Sequence, residues 1–173
     1  YRAAGVKTVL QGGESHSTTG HSFVAQANYA SAVGRDSTRV VSCNTTSIVR
    51  TLGALKDGGL LKKARGMLIR RATDPWESDH SGVMNTVVPE KVIPSHQGPD
   101  AQTVRPDLDV VTIAVVAAHT TSHLHAWSVE LTRPACTEEV LAVFSAAPRI
   151  AFLRMAEGVV ALNSTHELMS DLG

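Results

Sequence analysis

The chain has 173 residues, with 16 lysines and arginines against 16 aspartates and glutamates, so its formal net charge is zero when histidine is neutral. Zero net charge excludes the broad positive field of a nucleic-acid-binding surface. Hydrophobic residues form 43% of the chain and charged residues 18%, a composition that excludes disorder and supports a buried core. No apolar run is long enough to span a bilayer, and two cysteines cannot form a disulfide framework, which favours a reduced, cytosolic setting.

Short β-branched runs alternate with segments of helical periodicity along the chain. The predicted strands are, in order, residues 6–10, 39–42, 66–69, 110–118, 125–131 and 149–154. The predicted helices are one that follows Cys43 and ends at Gly58, one over 138–147 and one over 164–172. Residues 15–20 are predicted to form a loop, and residues 72–97 a long polar excursion of the kind that often carries function. Strands outnumber helices and several connections are short, which predicts an α+β fold with helices on one face of a largely antiparallel sheet.

Cys43 is the first chemically distinctive residue, because it lies where a predicted strand feeds a helix. The unpaired amides and positive dipole end of a helix favour thiolate over thiol. Asn44, Thr45 and Thr46 follow it and are natural N-cap residues that place further donors at the same point. This pattern suits a cysteine nucleophile with a site for an oxyanion or phosphate, and the alternative is a small core residue at a strand end.

A cysteine nucleophile needs a partner that exchanges protons near neutral pH, and histidine is that residue. Three histidines cluster between two predicted strands, at positions 119, 123 and 125. In an extended segment His123 and His125 face the same side. A zinc site is disfavoured because the cluster holds no carboxylate and Cys136 is far away in the sequence. A histidine pair on a solvated strand edge is the remaining alternative.

Two further polar groups could hold an anion. Arg70 and Arg71 end a predicted strand, and since adjacent strand residues point to opposite faces, one of them is expected to enter a given pocket. Arginine matches phosphate oxygens with two parallel hydrogen bonds. Residues 95–100 form a polar turn with Gly-Pro that presents His96 and Gln97, although alone this is also what a plain loop looks like.

Three blocks in register resemble the archaeal-type, or type II, glyceraldehyde-3-phosphate dehydrogenases. They are Val-Val-Ser-Cys-Asn-Thr-Thr at 40–46, Ile-Arg-Arg-Ala-Thr-Asp-Pro at 69–75 and Pro-Ser-His-Gln-Gly-Pro-Asp at 94–100. Gln-Gly-Gly-Glu at 11–14, the His123-x-His125 strand and Pro-Arg-Ile at 148–150 add to the resemblance. The similarity runs from end to end in the same order.

The resemblance implies oxidation of D-glyceraldehyde 3-phosphate to 1,3-bisphosphoglycerate, with a cysteine thioester, hydride transfer to NAD or NADP, and attack by inorganic phosphate. It assigns Cys43 as nucleophile and His123 as the base that activates the thiol, with His125 as the fallback. The positions implied to bind the phosphorylated substrate are Ser42, Asn44, His96 and Gln97. Arg71 is implied to contact the dinucleotide, and Arg70 could share that role. The resemblance implies a homotetramer when the protein is full length. From the charge, the cysteine count and the apolar runs we expect a cytoplasmic protein with no nucleic-acid or membrane partner, and we expect no metal.

The chain departs from the family pattern in several places, and these departures indicate how much of a full-length family member it contains. Ser47 replaces a glycine, and Gln97 replaces the second histidine of a pair. No Gly-x-Gly-x-x-Gly fingerprint follows any predicted strand. The resemblance therefore implies an internal fragment: residues 1–42 as the last strands of a Rossmann-type α/β nucleotide-binding domain, and 43–173 as a catalytic domain truncated at its C-terminal end. Such a fragment is expected to be inactive alone.

Two alternatives remain open at this stage. A truncated domain of the same ancestry would act as an interaction or assembly module without turnover. A cysteine hydrolase using Cys43 and His123 would cleave esters without a cofactor.

Overall fold

A computed structural model describes residues 1–11, 15–72 and 86–172. The Gly-Gly-Glu segment after the first strand and residues 73–85 of the polar excursion lie outside these residues. None of the helices within the described ranges has the length and apolar character needed to cross a membrane.

The N-terminal part is a small parallel sheet. Its strands are β1 (Thr8–Gln11), β2 (Ser22–Phe23) and β3 (Ser37–Val40), in the order β1-β3-β2. Helices α1 (His16–Thr19) and α2 (Ala25–Ala32) connect them, so the predicted loop at 15–20 is wrong. Parallel strands joined by helical crossovers are typical of α/β layers.

Helix α3 (Cys43–Asp57) begins directly after β3 and confirms the strand-to-helix junction predicted at Cys43. Ser42 is its N-cap, because the Ser42 Oγ accepts a hydrogen bond from the Thr45 amide at 3.2 Å. The residues predicted as caps, Asn44 to Thr46, lie in the first turn instead. The apolar residues that recur along α3 face the core, and they are Ile48, Val49, Leu52 and Leu55.

A second, four-stranded sheet provides the main platform. It consists of β4 (Leu61–Arg71), β5 (Val87–Pro89), β6 (Val110–Ala117) and β7 (Leu124–Leu131), in the order β5-β6-β4-β7. The β4–β7 and β5–β6 pairs are antiparallel, whereas β4 and β6 run parallel. Together with the helices, this confirms the predicted α+β class with a largely antiparallel sheet.

The core lies between this sheet and helices α3 and α4 (Gln97–Gln102), which pack on one of its faces. Leu61, Ala64 and Leu68 of β4 are almost fully buried there. Met67 and Ile113 point to the opposite face and are 45% and 39% exposed. From Ala64 onward, the period-two alternation along β4, and that along β6, separates a covered face from an open one, and an irregularity between Leu61 and Lys63 brings Leu61 to the covered face as well.

The C-terminal part contains helices α5 (Thr137–Ala146) and α6 (Leu162–Asp171), both predicted. The strand predicted at 149–154 is wrong, since these residues form a turn and irregular backbone. Arg149 has a φ of 61°, which is incompatible with an extended strand, and Pro148 has no amide to donate to a ladder. A short apolar run alone could not reveal this.

Candidate active site

Cys43 is the first residue of α3 and its side chain is exposed. The turn that holds it is fixed by its neighbours: Ser42 caps the Thr45 amide, and the Thr46 amide bonds to the Ser42 carbonyl at 2.8 Å. The sulfur therefore lies at the positive end of a fifteen-residue helix. The structure thus places Cys43 at the start of a helix, the position that the sequence pattern predicted.

His123 lies directly opposite. Its Nε2 atom is 3.1 Å from the Cys43 Sγ, across 80 residues of sequence. The residue immediately precedes β7, whose antiparallel pairing with β4 places Leu124 beside Ile69. That pairing brings His123 to the end of β4, where its Nδ1 accepts a hydrogen bond from the Arg71 amide at 3.1 Å.

The hydrogen bond from Arg71 determines which nitrogen of His123 carries the proton. A backbone amide can only donate, so Nδ1 must be unprotonated, and the neutral ring then carries its hydrogen on Nε2. The Nε2–H faces the Cys43 sulfur. In this arrangement the Nε2–H of His123 points at the sulfur, and the ring nitrogen that could accept a proton faces the Arg71 amide.

The pKa of His123 also indicates that the ring acts as a hydrogen-bond donor and not as a base. Burial, followed by the positive charge of Arg71, lowers the pKa of His123 to about 4. The ring is consequently neutral at neutral pH. A neutral imidazole with so low a pKa is a weak acceptor for a thiol proton, but it remains a good hydrogen-bond donor.

His125 contacts the next residue of the helix. Its Nε2 donates to the Asn44 Oδ1 at 2.8 Å, and Asn44 is only 4% exposed. Burial lowers the pKa of His125, so this ring is also neutral. The two histidines therefore point to the same side, as their spacing predicted, but they contact consecutive residues of α3. Of the two, it is His123 that touches the sulfur.

His96 and Gln97 gather around Glu90 instead of around Cys43. The fully buried Gln97 donates through Nε2 to the Glu90 Oε1 at 3.1 Å, and Arg70 forms an ion pair with the same oxygen. His96 is exposed, with its Nδ1 3.5 Å from the Glu90 Oε2. Among the described residues the Gln97 Oε1 and the Arg70 Nε have no hydrogen-bond partner although both are buried. Glu90 was not predicted, because an acidic residue in a polar loop carries no distinctive pattern.

Two clefts meet at Cys43. One, of about 420 Å³, is lined by Cys43, Arg71, His123 and the 120–122 loop. The Arg71 guanidinium donates to the Thr120 carbonyl at 3.3 Å, while its buried Nε has no partner within the described residues. A buried, unpaired guanidinium nitrogen at the edge of a cleft fits an anionic group such as a dinucleotide phosphate.

The other cleft, of about 600 Å³, lies where β1 and β3 end. Gln11 and Val40 line it together with Cys43, Arg50 and Ile150. Ligands of open parallel sheets bind outside the carboxyl ends of the strands, so this cleft also fits a dinucleotide. Arg149 and Ile150 both line this cleft, and neither the predicted strand at 149–154 nor the resemblance at 148–150 placed them beside Cys43.

Within the ranges that the structure describes, no group of three or more histidine, cysteine, aspartate or glutamate side chains is close enough to hold a metal ion. The cluster at positions 119 to 125 is instead divided between separate partners. The His119 Nδ1 lies 3.1 Å from the Thr121 carbonyl, and the other two rings face α3.

An exposed cysteine at a helix N-terminus, within hydrogen-bond distance of a histidine, is the arrangement found in enzymes with a cysteine nucleophile. Comparison with known proteins is more specific. Residues 42–172 match the family model for the glyceraldehyde 3-phosphate dehydrogenase C-terminal domain. The glyceraldehyde-3-phosphate dehydrogenase of Methanococcoides burtonii is 42% identical over 174 residues, covering all of this chain and 51% of its own length.

Two other archaeal proteins with the same name give the same result. The Methanopyrus kandleri protein is 42% identical over 174 residues and is covered over 49% of its length. The Pyrococcus furiosus protein is 42% identical over 172 residues and is covered over 50%. The chain belongs to the glyceraldehyde-3-phosphate dehydrogenase family, and it spans about half the length of these relatives.

Proposed function

We propose that this chain carries the catalytic domain of a phosphorylating glyceraldehyde-3-phosphate dehydrogenase that uses NAD or NADP. In this proposal residues 43–173 belong to the catalytic domain and residues 1–42 to the end of the nucleotide-binding domain. The substrates are D-glyceraldehyde 3-phosphate and inorganic phosphate, and the complete protein is a cytoplasmic homotetramer. The observation that carries the proposal is the 3.1 Å contact between the Cys43 sulfur and the His123 Nε2 at the start of α3.

The first step forms a bond between the Cys43 sulfur and the aldehyde carbon. The thiolate electron pair makes the new C–S bond, and the carbonyl π electrons move to oxygen. The His123 Nε2–H, which faces the sulfur, is positioned to donate to that oxyanion. The direction of the Arg71 amide supports this role because it keeps the hydrogen on Nε2.

Collapse of the oxyanion then re-forms the carbonyl and expels hydride from the same carbon, which leaves a thioester on Cys43. The nicotinamide, when bound, supplies the acceptor for that hydride. No proton needs to leave the adduct, since addition of a thiolate makes an alkoxide directly. Inorganic phosphate next attacks the thioester carbon, the C–S bond breaks, and Cys43 departs as a thiolate with the acyl phosphate as product.

In this proposal the remaining predicted residues hold Cys43 in place or bind the cofactor and the substrate. Asn44 is buried beside Cys43 and held by His125, and Ser42 caps the helix that carries the nucleophile. Arg71 would hold an anionic part of the dinucleotide in the cleft next to Cys43. His96 and Gln97 would bind the phosphorylated end of the substrate, which requires that the substrate reach the cluster around Glu90.

The decisive experiment is an assay of the protein encoded by the complete reading frame, following reduction of NAD and of NADP. We expect turnover that requires both glyceraldehyde 3-phosphate and inorganic phosphate. Cys43→Ser should abolish it, whereas Cys136→Ser, which changes the other exposed cysteine, should leave it unchanged. Turnover that survives Cys43→Ser, or its absence from the unaltered protein with both cofactors, would overturn the proposal and favour an assembly module.

A further inference from the structure

A buried ion pair joins the parallel sheet to helix α4 close to the nucleophile. Arg39 of β3 is only 6% exposed, and its guanidinium pairs with the Asp100 carboxylate of α4. The Arg39 Nε also donates to the Ser22 Oγ at 2.8 Å, which ties the pair to β2. A buried pair of this kind persists only when its remaining donors and acceptors are also satisfied.

The second oxygen of Asp100 faces the catalytic helix. The Thr45 hydroxyl donates to the Asp100 Oδ2 at 2.9 Å, and Thr45 is completely buried. Since Thr45 uses its hydrogen on Asp100, the 3.0 Å contact between the Ser42 and Thr45 hydroxyls must have Ser42 as donor. The Ser42 oxygen in turn accepts the Thr45 amide hydrogen.

These bonds form a continuous chain that joins Arg39, Asp100, Thr45 and Ser42, and the side-chain donors on both sides point toward the Asp100 carboxylate. Ser42 and Thr45 flank Cys43, so both sides of the turn that carries the sulfur are fixed by the one carboxylate. A thiolate at a helix N-terminus is stabilised only while the first-turn amides keep their orientation toward it. Holding that turn therefore contributes directly to the reactivity of Cys43.

We propose that Asp100 is a positioning residue for Cys43, acting through the Thr45 hydroxyl, and that Arg39 links this support to the parallel sheet. The inference rests on the proposed function only in taking Cys43 as the nucleophile. Neither Arg39 nor Asp100 touches the sulfur in this arrangement, and their effect is to fix the turn and balance each other's charge. Nothing in the sequence pattern alone distinguishes this aspartate from an ordinary helix residue.

The test is the rate at which iodoacetamide alkylates Cys43 as a function of pH, read by mass spectrometry of the Cys43 and Cys136 peptides in the complete protein. Thr45→Val keeps the side-chain volume but removes the hydroxyl, and should slow Cys43 alkylation at pH 7 by about three- to tenfold with the pH profile shifted upward. Thr45→Ser restores the hydroxyl and should restore the profile. Asp100→Asn should also slow the reaction.

Thr132→Val is the matched control, because the Thr132 hydroxyl bonds to the Gly59 carbonyl beyond the other end of α3. It should leave Cys43 alkylation unchanged. An unshifted profile for Thr45→Val or for Asp100→Asn would overturn the proposal, as would a Thr45→Ser variant as slow as Thr45→Val. The measurement needs neither substrate nor cofactor, so failure of the proposed dehydrogenase activity would leave its result intact.

Discussion

The hydrogen bond from the Arg71 amide gives His123 a definite chemical role. A histidine beside a cysteine is commonly expected to act as a base, and the family resemblance implied that role. Here the amide fixes the hydrogen on Nε2, and burial with nearby positive charge keeps the ring neutral. In the proposed mechanism both effects make His123 a hydrogen-bond donor toward the thiolate and the later oxyanion.

This predicts how the stability of the protein depends on His123 as the pH falls. The folded pKa of about 4 lies below the unfolded value, so the unfolded chain takes up the proton first. Stability present above about pH 6.5 should therefore be lost as the pH falls toward 4. We expect His123→Gln, which cannot titrate, to lose less stability over that interval in urea unfolding at a series of pH values.

The control for this comparison is an NMR titration of the histidine ring protons in the unaltered protein. The His123 signals should keep their neutral shifts through pH 6 and move only near pH 4. A midpoint near the ordinary histidine value of about 6.5 would contradict the argument that burial and nearby positive charge keep the ring neutral.

At the scale of elements, the antiparallel pairing of β4 with β7 carries the histidines to α3. Gly66 lies opposite Trp127 in this register, and an added Cβ would come within 2.3 Å of the indole ring. Trp127 also stacks edge-on against His125, with ring centroids 6.0 Å apart. The absence of a side chain at Gly66 thus lets the tryptophan pack across the strand pair and support the histidine that holds Asn44.

Gly66→Ala should consequently destabilise the protein, because the indole must move out of a packed position, at a cost of about 1–3 kcal/mol. Urea unfolding followed by circular dichroism measures this. Gly53→Ala is the matched control: Gly53 lies within α3, and its added Cβ would meet only an Arg105 side-chain nitrogen at 3.5 Å. That variant should be stabilised by up to about 1 kcal/mol, since alanine is the better helix former. Equal effects of the two changes would contradict the packing argument.

The sequence predicted those helices and strands whose structure is determined by their own residues and not by a distant partner. The periodicity of α3 and the β-branched run of β6 determine their own structure, and Cys43 could be placed at a helix start for that reason. Helix α4 was missed because Gly98-Pro99 resembles a turn, although proline also fits the first turn of a helix. The strand expected at 149–154 has no partner within the described residues, and pairing is a nonlocal property.

Contacts between distant elements account for the rest of the site. The sequence pattern placed His123 and His125 on one side but could not decide which ring would meet the sulfur, because that depends on the register of β7 against β4. The connection from Arg39 to Asp100 spans 61 residues and has no motif. Such residues become visible only when the fold brings them together.

At the scale of the whole molecule, zero net charge means that anion binding depends on a few placed groups. Arg71 is the clearest of these, since its buried Nε lacks a partner within the described ranges and it lines the cleft beside Cys43. The cleft where β1 and β3 end offers room for a dinucleotide, but the sequence contains no glycine-rich fingerprint to hold the pyrophosphate. The reactivity of Cys43 should therefore need only the residues of this chain, whereas binding of the cofactor should need a longer protein.

We predict that the 173-residue chain and the protein encoded by the complete reading frame differ in cofactor binding but not in cysteine selectivity. Cys43 should react with iodoacetamide faster than Cys136 in both, because the α3 turn and His123 lie within this chain. Titration of NADH and NADPH fluorescence should show binding only to the longer protein, with circular dichroism confirming that both are folded. The prediction would be contradicted if the 173-residue chain bound the dinucleotides as tightly as the longer protein. Equal labelling of Cys43 and Cys136 would also contradict it.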